Sequence, residues 1–308
     1  MQRIISFGSL NMDLVAVGGP IPQPGETVTA QQLRRVPGGK GANQAVGAAR
    51  QGAPTLMVGR VGSDAFGDDL LAALAREQVD ISAVMRDADS SGVALIMVNP
   101  AGENAISVIA GANGNVDLSD VLRLQERLQE PAIVLLQLEV PLAAVTAAAA
   151  AARRAGATVI LDPAPAQPLP DELVRLISIL TPNQHEAATL VGFTLDSDAA
   201  IVAAAAELQR RGAAQVVIKL GGRGAYALDQ DGRGRWIAAH PVTVVDTVAA
   251  GDAFNAGLAA GLAAGQSFTA ALQRAAAAGA LAVTRAGAQD AMPGGAETLA
   301  LAGLGTDI

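Results

Sequence analysis

Short runs of β-branched and aliphatic residues alternate along the chain with longer, alanine-rich stretches of helical length. The apolar runs predict strands at 3–7, 55–61, 133–138, 158–161, 177–181, 215–220 and 225–229. The segments between them predict helices over 42–51, 66–77, 142–155, 185–191, 198–211, 252–264 and 267–284. Strand, helix, strand repetition implies a mostly parallel sheet with helices on both faces, an α/β fold. Two stretches break the rhythm. Residues 15–36 are rich in Gly, Pro and Thr with no helical period, and 91–109, "SGVALIMVNPAGENAISVI", reads as two strands around an "NPAGEN" turn. Together they predict a small antiparallel sheet projecting from the main body. No tandem repeat, low-complexity tail or long linker divides the sequence, so residues 1–308 read as one domain with an appended lid.

Composition sharpens this picture. The chain has 308 residues, 51% of them hydrophobic and only 2% aromatic, so its core is built from Ala, Val, Leu and Ile. That usage suits helices and strands in alternation better than an all-β fold. A formal charge of −8 without a dense Lys/Arg run argues against nucleic acid or an anionic membrane as partner. With no cysteine there is neither a disulfide framework nor a thiolate metal site. The amino end reaches Asn11 and Asp13 before any long apolar stretch develops, unlike a signal peptide. The most membrane-like segment, 131–152, is interrupted by Glu139 and Pro141, so a buried strand and helix are expected there, in a cytoplasmic protein.

In open parallel sheets ligands bind beyond the carboxyl ends of the strands, where glycine-rich turns meet helix N-termini. "DTVAAGDAF", 246–254, lies at such a junction. Backbone N–H groups of Ala249, Ala250 and Gly251 can converge there on one anion, with Asp252 in the first helical turn. A carboxylate beside an anion hole suggests a general base that deprotonates a hydroxyl attacking a phosphoryl group. Asp252 as a plain N-terminal cap is the competing reading. "PGGKGANQAVGAARQGA", 37–53, offers a second glycine-rich turn, with the N–H groups of Lys40 to Asn43 open to a polar ligand. It lacks P-loop spacing, and a structural turn is the alternative. "IKLGGRGAYAL", 218–228, is a strand, a G-G-x-G turn and a strand, suited to lie under a nucleotide or simply to form a hairpin.

In "TPNQHEA", Asn183 and Glu186 stand three apart, fit for a phosphate or hydrated Mg²⁺, and equally for a capping box. Asn11 and Asp13 alternate in extended chain and so point the same way, toward a polyhydroxylated ligand or local backbone. Glu139 follows the buried-looking "VLLQL". His185 and His240 have no second His or Cys at ligand spacing, and Trp236 and Tyr226 read as packing residues.

In combination these stretches resemble the ribokinase family of carbohydrate and nucleoside kinases, over about residues 3–293. Each motif is weak alone, but their order and spacing are specific. "GSLNMDLV", "PGGKGANQAVGAARQGA", "AGENAISVIAGAN" and "LDPAPA" are similar to the ribose-phosphorylating branch. The resemblance implies a ribokinase-like three-layer α/β/α domain and ATP-dependent phosphorylation of D-ribose at its 5-hydroxyl. It implies that Asp252 is the catalytic base, with the amides of Ala249, Ala250 and Gly251 as the hole for the transferring group. Asn11, Asp13, Gly39, Lys40, Asn43 and Glu139 would hold the sugar. Asn183, Glu186, Lys219, Gly221, Gly222, Gly224 and Gly251 would line the ATP site, the Asn183–Glu186 motif being linked to Mg²⁺. A lid from segments 11–36 and 91–109 would close over the sugar and pair two subunits. A K⁺ activator would sit at Asp246, Val248, Ala282, Arg285, Gly287 and Ala291, where Ala291 replaces a frequent Ser and removes one oxygen. Ala249 stands where many relatives have Gly, as is frequent in the ribose branch. Kinases for another sugar or a nucleoside, and a sugar-binding protein without turnover, are the competing functions.

Overall fold

A computed structural model of the chain describes residues 1–128 and 131–305. Among the described residues the elements run β1 (Arg3–Phe7), β2 (Asn11–Val17), β3 (Gln32–Gly38), α1 (Lys40–Arg50), β4 (Thr55–Gly62), α2 (Ala65–Arg76), β5 (Asp80–Asp87), β6 (Gly92–Val98), β7 (Asn104–Ile109), α3 (Leu118–Arg127), β8 (Ala132–Leu136), α4 (Leu142–Arg154), β9 (Thr158–Leu161), α5 (Asp171–Val174), β10 (Ile179–Leu180), α6 (Gln184–Val191), α7 (Asp198–Arg210), β11 (Gln215–Lys219), β12 (Ala225–Leu228), β13 (Gly234–Ile237), α8 (Ala250–Ala263), α9 (Phe268–Ala282) and α10 (Gly295–Ala302).

Nine strands form the main sheet in the order β13-β12-β11-β10-β9-β8-β1-β4-β5. It is parallel except at β11-β12-β13, which meander antiparallel. The central strands are buried on both faces, as parallel strands between helices are, whereas the edge strands β5 and β13 are largely exposed. Ile5 and Phe7 of β1 belong to one core layer with Leu124 of α3, Val145 of α4 and Leu208 of α7. Ile4, one residue out of phase, belongs to the layer on the other face, with Leu258 of α8 and Leu272 of α9. The alanine-rich helices approach closely. A Cβ at Gly47 would meet the Ala256 Cβ at 2.7 Å, so α1 and α8 touch near their backbones. That contact brings the first turn of α1 against the first turn of α8.

The second sheet has the order β3-β2-β6-β7 and sits at the carboxyl end of β1. It is mixed, which corrects the expectation of an antiparallel lid: β2 pairs with β6 in parallel, and only β2-β3 and β6-β7 are antiparallel. The reason is connectivity. A chain that leaves β3 for the main body and returns as β6 can enter beside β2 in the same direction. The "NPAGEN" turn joins β6 to β7 as expected, with Asn99 Oδ1 accepting from the Ala101 and Glu103 N–H groups. Five elements are absent from the pattern reading, β5, β13, α3, α5 and α10, and the strand expected at 177–181 shortens to Ile179–Leu180.

Candidate active site

Polar residues gather where the parallel strands end. Ser9 and Asn11 follow β1, Glu139 follows β8, Asp162 follows β9, Asn183 follows β10, and Lys219 closes β11. Their carboxyl-end placement turns side chains away from the core toward the lid and the helix N-termini.

Asp252 lies in the first turn of α8 and is buried, 3% exposed. It is not a cap. The N-cap position belongs to Ala249, held left-handed at φ 59°, and the Asp252 carboxylate instead accepts from Asn43 Nδ2 and Gln44 Nε2, each at 3.0 Å. Burial pushes its carboxyl up, the nearby Lys40 ammonium pulls it down, and the neighbouring Asp162 charge raises it again, for a net upward shift. The Ala250 N–H makes only a 3.4 Å bond to the Thr247 carbonyl, and the N–H groups of Gly251 and Asp252 find no backbone acceptor among the described residues. Lys219 adds charge here, because a Cβ at Gly251 would lie 3.2 Å from its Nζ.

The other glycine-rich turn differs from its expectation. The N–H groups of Lys40 to Asn43 are not open to a ligand. Lys40 N–H donates to Glu139 Oε2 at 2.9 Å, Gly41 N–H to Ser9 Oγ at 3.4 Å, Ala42 N–H to the Ser9 carbonyl at 2.9 Å, and Asn43 N–H to the Gly39 carbonyl at 2.8 Å. Glu139 also accepts from Ser9 Oγ at 2.5 Å and from Asn11 Nδ2 at 3.5 Å. Asn11 in turn accepts from Asn113 Nδ2 at 2.8 Å. Asp13 faces the same cluster; burial first, then the Glu139 and Asp252 charges, push its carboxyl up to about 7. Thus Asn11, Asp13, Gly39, Lys40, Asn43 and Glu139 come together beside the lid, with Asn43 bonded to Asp252. The Lys40 side chain loses hydration by burial, but Asp252, Asp162, Glu139 and Glu186 around it hold its charge and raise its pKa.

Beyond Asp252 opens a cavity of about 590 Å³. It is lined by the polar residues Lys40, Asp162, Asn183, Glu186 and Lys219, by the 249–252 turn and by Gly221, Gly222 and Gly224. Val242, Val244, Ala276 and Val283 give it apolar wall as well. Asn183 caps α6 in a reciprocal capping box with Glu186, and the pair also lines the cavity. The 221–224 turn is likewise both a link between antiparallel strands and a cavity wall. Trp236 stacks tilted on Tyr226 at 4.9 Å, away from the cavity lining.

The cation-site residues are joined only in part. Asp246 accepts from the N–H groups of Val248 and Gly287, each at 3.0 Å. Ala282 and Ala291 are fully buried, and Arg285 turns its guanidinium to Glu297. Among the described residues no group of three or more His, Cys, Asp or Glu side chains forms a metal cluster. No helix among them is long and apolar enough to cross a membrane.

Sequence reasoning passed over Gln44, Asp162, Ser9 and Asn113. A usable signal exists for Asp162, a charge directly after the buried run Thr158–Leu161. Gln44 and Ser9 act through partners far along the chain and leave no local sign.

The family model described as pfkB family carbohydrate kinase matches residues 1–294. The chain is 39% identical to a ribokinase of Haemophilus influenzae over 299 residues, 97% of either protein. It is 36% identical to a ribokinase of Bacillus subtilis, covering 95% of this chain and 97% of that one. Among solved structures, Arabidopsis thaliana ribokinase complexed with ribose and ATP superposes with a TM-score of 0.90 at 33% identity over 99% of both chains. Escherichia coli phosphofructokinase-2 in complex with potassium superposes at 0.81 with 25% identity, over 98% of this chain and 99% of that one. The chain therefore belongs to the pfkB family of carbohydrate kinases.

Proposed function

We propose that the chain transfers the γ-phosphoryl group of ATP to O5 of D-ribose, yielding D-ribose 5-phosphate and ADP. The observation that carries this reading is the buried Asp252 carboxylate, hydrogen-bonded by Asn43 and Gln44 and flanked at the start of α8 by N–H groups that find no backbone acceptor among the described residues. It stands between the cavity and the polar cluster beside the lid. The likeness to ribokinases over nearly the whole chain, one of them crystallised with ribose and ATP, supports the choice of substrates.

In this mechanism Asn11, Asp13, Gly39, Lys40, Asn43 and Glu139 hold the sugar. ATP occupies the cavity along Asn183, Lys219, Gly221, Gly222 and Gly224, with its γ-phosphate at the amides of Ala249, Ala250 and Gly251. The O5 proton passes to Asp252 as O5 bonds to the γ-phosphorus, and the bond from that phosphorus to the β,γ-bridging oxygen breaks, leaving ADP. Little covalent chemistry is asked of the protein; positioning and charge stabilisation carry the step. Lys40 and Lys219 offset charge that develops on the transferring group.

Glu186 and Asn183 present hard oxygens at the cavity rim, a donor set that fits hydrated Mg²⁺. That ion, when bound, neutralises phosphate charge. For K⁺, the Asp246 contacts to Val248 and Gly287 tie together the two loops that would offer carbonyl oxygens, a fit weakened by the methyl of Ala291. The lid supports pairing of two subunits: β7 is exposed along its whole length, and Leu95, Met97, Ile106 and Val108 are all at least 40% exposed. Use of ATP as donor supports a cytoplasmic setting.

The test is ADP release from ATP and Mg²⁺ with D-ribose beside a panel of other pentoses, hexoses and nucleosides, each in K⁺ and in Na⁺. Turnover greatest with ribose is the expected result. Turnover with another sugar alone would move the substrate and keep the chemistry, and binding of ribose without ADP would overturn the kinase reading.

A further inference from the structure

Gln44 joins the two halves of the site. It is 1% exposed on α1. Its Nε2 donates to Oδ1 of Asp252 and to Oδ2 of Asp162, both at 3.0 Å, so those two oxygens lie within 6.0 Å of each other. Its Oε1 accepts from Gln137 Nε2 at 2.8 Å. That bond fixes which end of the amide faces the acids, because a flipped amide would turn lone pairs onto two carboxylates. The other Asp162 oxygen accepts from Lys219 Nζ at 2.8 Å, and Lys219 lies beside Gly251 at the start of α8. One hydrogen-bonded chain therefore runs from Lys219 through Asp162 and Gln44 to Asp252.

We propose that Gln44 is a positioning residue that fixes the Asp252 carboxylate and ties it to the Lys219–Asp162 pair, so that one network aligns the base and meets the nucleotide phosphates. The inference rests on Asp252 being the general base. Two carboxylates this close repel, and the amide hydrogens between them offset the repulsion. Lys40 is the cation facing both, and Asp13, Glu139 and Glu186 are the surrounding acids. Without Gln44 the base keeps Asn43 as its side-chain donor, turns more freely, and holds its proton more tightly.

The test compares Gln44→Leu, Gln137→Leu and Asp252→Asn in the full-length enzyme with ATP, Mg²⁺ and D-ribose. For Gln44→Leu, kcat falls by about 10- to 100-fold, the size expected of a displaced reacting group. The ribose Kd from calorimetry changes less than about threefold, and the acid limb of the kcat–pH profile moves to higher pH. Gln137→Leu releases the amide end and gives a smaller fall of the same kind, which carries the test if Gln44→Leu does not fold. Wild-type kcat in the folded variants, or a kcat loss matched by an equal loss of ribose affinity, overturns the role of Gln44. An Asp252→Asn enzyme that keeps more than a tenth of the rate removes the base assignment and this inference with it, whereas an inactive Asp252→Asn beside an unperturbed Gln44→Leu overturns the inference alone.

Discussion

Two helix N-termini meet at the site, and they are finished in opposite ways. At α1 all four leading N–H groups are bonded within the protein, and the carboxylate of Glu139 sits on the first of them. At α8 the N–H groups of Gly251 and Asp252 have no backbone acceptor among the described residues, and the Lys219 ammonium lies close to Gly251. Both ends carry the same positive helix potential. One is neutralised permanently by an internal acid and becomes a rigid floor for Asn43 and Gln44. The other keeps its potential for an anion that comes and goes. In the proposed function, α1 holds and α8 carries the chemistry.

The largest effect expected from this division falls on Asp252. Asp252→Asn keeps the hydrogen-bonding shape and removes the proposed base, so kcat falls by at least about 100-fold while ribose affinity stays within a few-fold. Steady-state rates beside calorimetric ribose binding check this. Glu139→Gln probes the other helix. It weakens the charge-assisted bonds to Lys40 N–H and Ser9 Oγ, which costs about 1–3 kcal/mol of unfolding free energy and raises the ribose KM more than it lowers kcat. Urea unfolding and a KM-against-kcat comparison read both consequences. A Glu139→Gln enzyme with normal KM and collapsed kcat would break the division between the helices.

The sequence shows both turns as small-residue stretches before a helix and cannot show how each is finished. The acid that closes α1 lies 99 residues from the amide it accepts from, and Gln44 reaches Asp252 208 residues away. Such pairings exist only once the sheet has brought strand ends together. The alternation of apolar runs and alanine-rich stretches is local, and it renders the central strands and their helices legible. Helix α3 escapes the pattern reading although it carries a local signal, the Asp117–Asp120 capping box followed by Val121, Leu124 and Leu128. Strand β5, with only Ala83 fully buried along it, carries polar residues at an edge and has no such pattern. The mixed lid is invisible locally because the paired residues of β2 and β6 lie 81 positions apart in the chain.

A smaller effect follows from Asp13, whose carboxyl is pushed up to about 7 by burial and by Glu139 and Asp252. Its folded-state pKa exceeds its ordinary value of 3.8, so the folded chain holds this proton where the unfolded chain has lost it. The stability it contributes is complete below about pH 4 and is lost as pH rises through about 7. Unfolding free energy in urea should therefore decline between pH 5 and 7.5, and Asp13→Asn should flatten that decline by on the order of 1–2 kcal/mol. Lowered carboxyls such as Asp64 and Glu77 are ionised in both states across this window and add no slope. An unchanged slope in Asp13→Asn would remove Asp13 from the cluster that Glu139 organises.

The finest test lies at the two N-cap residues themselves, which both have positive φ. Gly39, before α1, adopts φ 88° and ψ 130°, and a Cβ there would come within 2.7 Å of the Asn11 nitrogen, so glycine is required. Ala249, before α8, adopts φ 59° and ψ 10°, the left-handed well, which an alanine occupies at a cost of about 1–2 kcal/mol. Ala249→Gly removes that strain and adds freedom to the unfolded chain, so the two changes partly cancel. The net expectation is stabilisation by about 0.5 kcal/mol with kcat within about twofold of the parent, read as a small rise in the urea midpoint beside unchanged turnover. A clear loss of kcat in Ala249→Gly would mean that the alanine methyl, and not only the backbone it shapes, is needed to hold the α8 amides in register, and the open end of the comparison would then be less a property of backbone geometry than of side-chain packing around it.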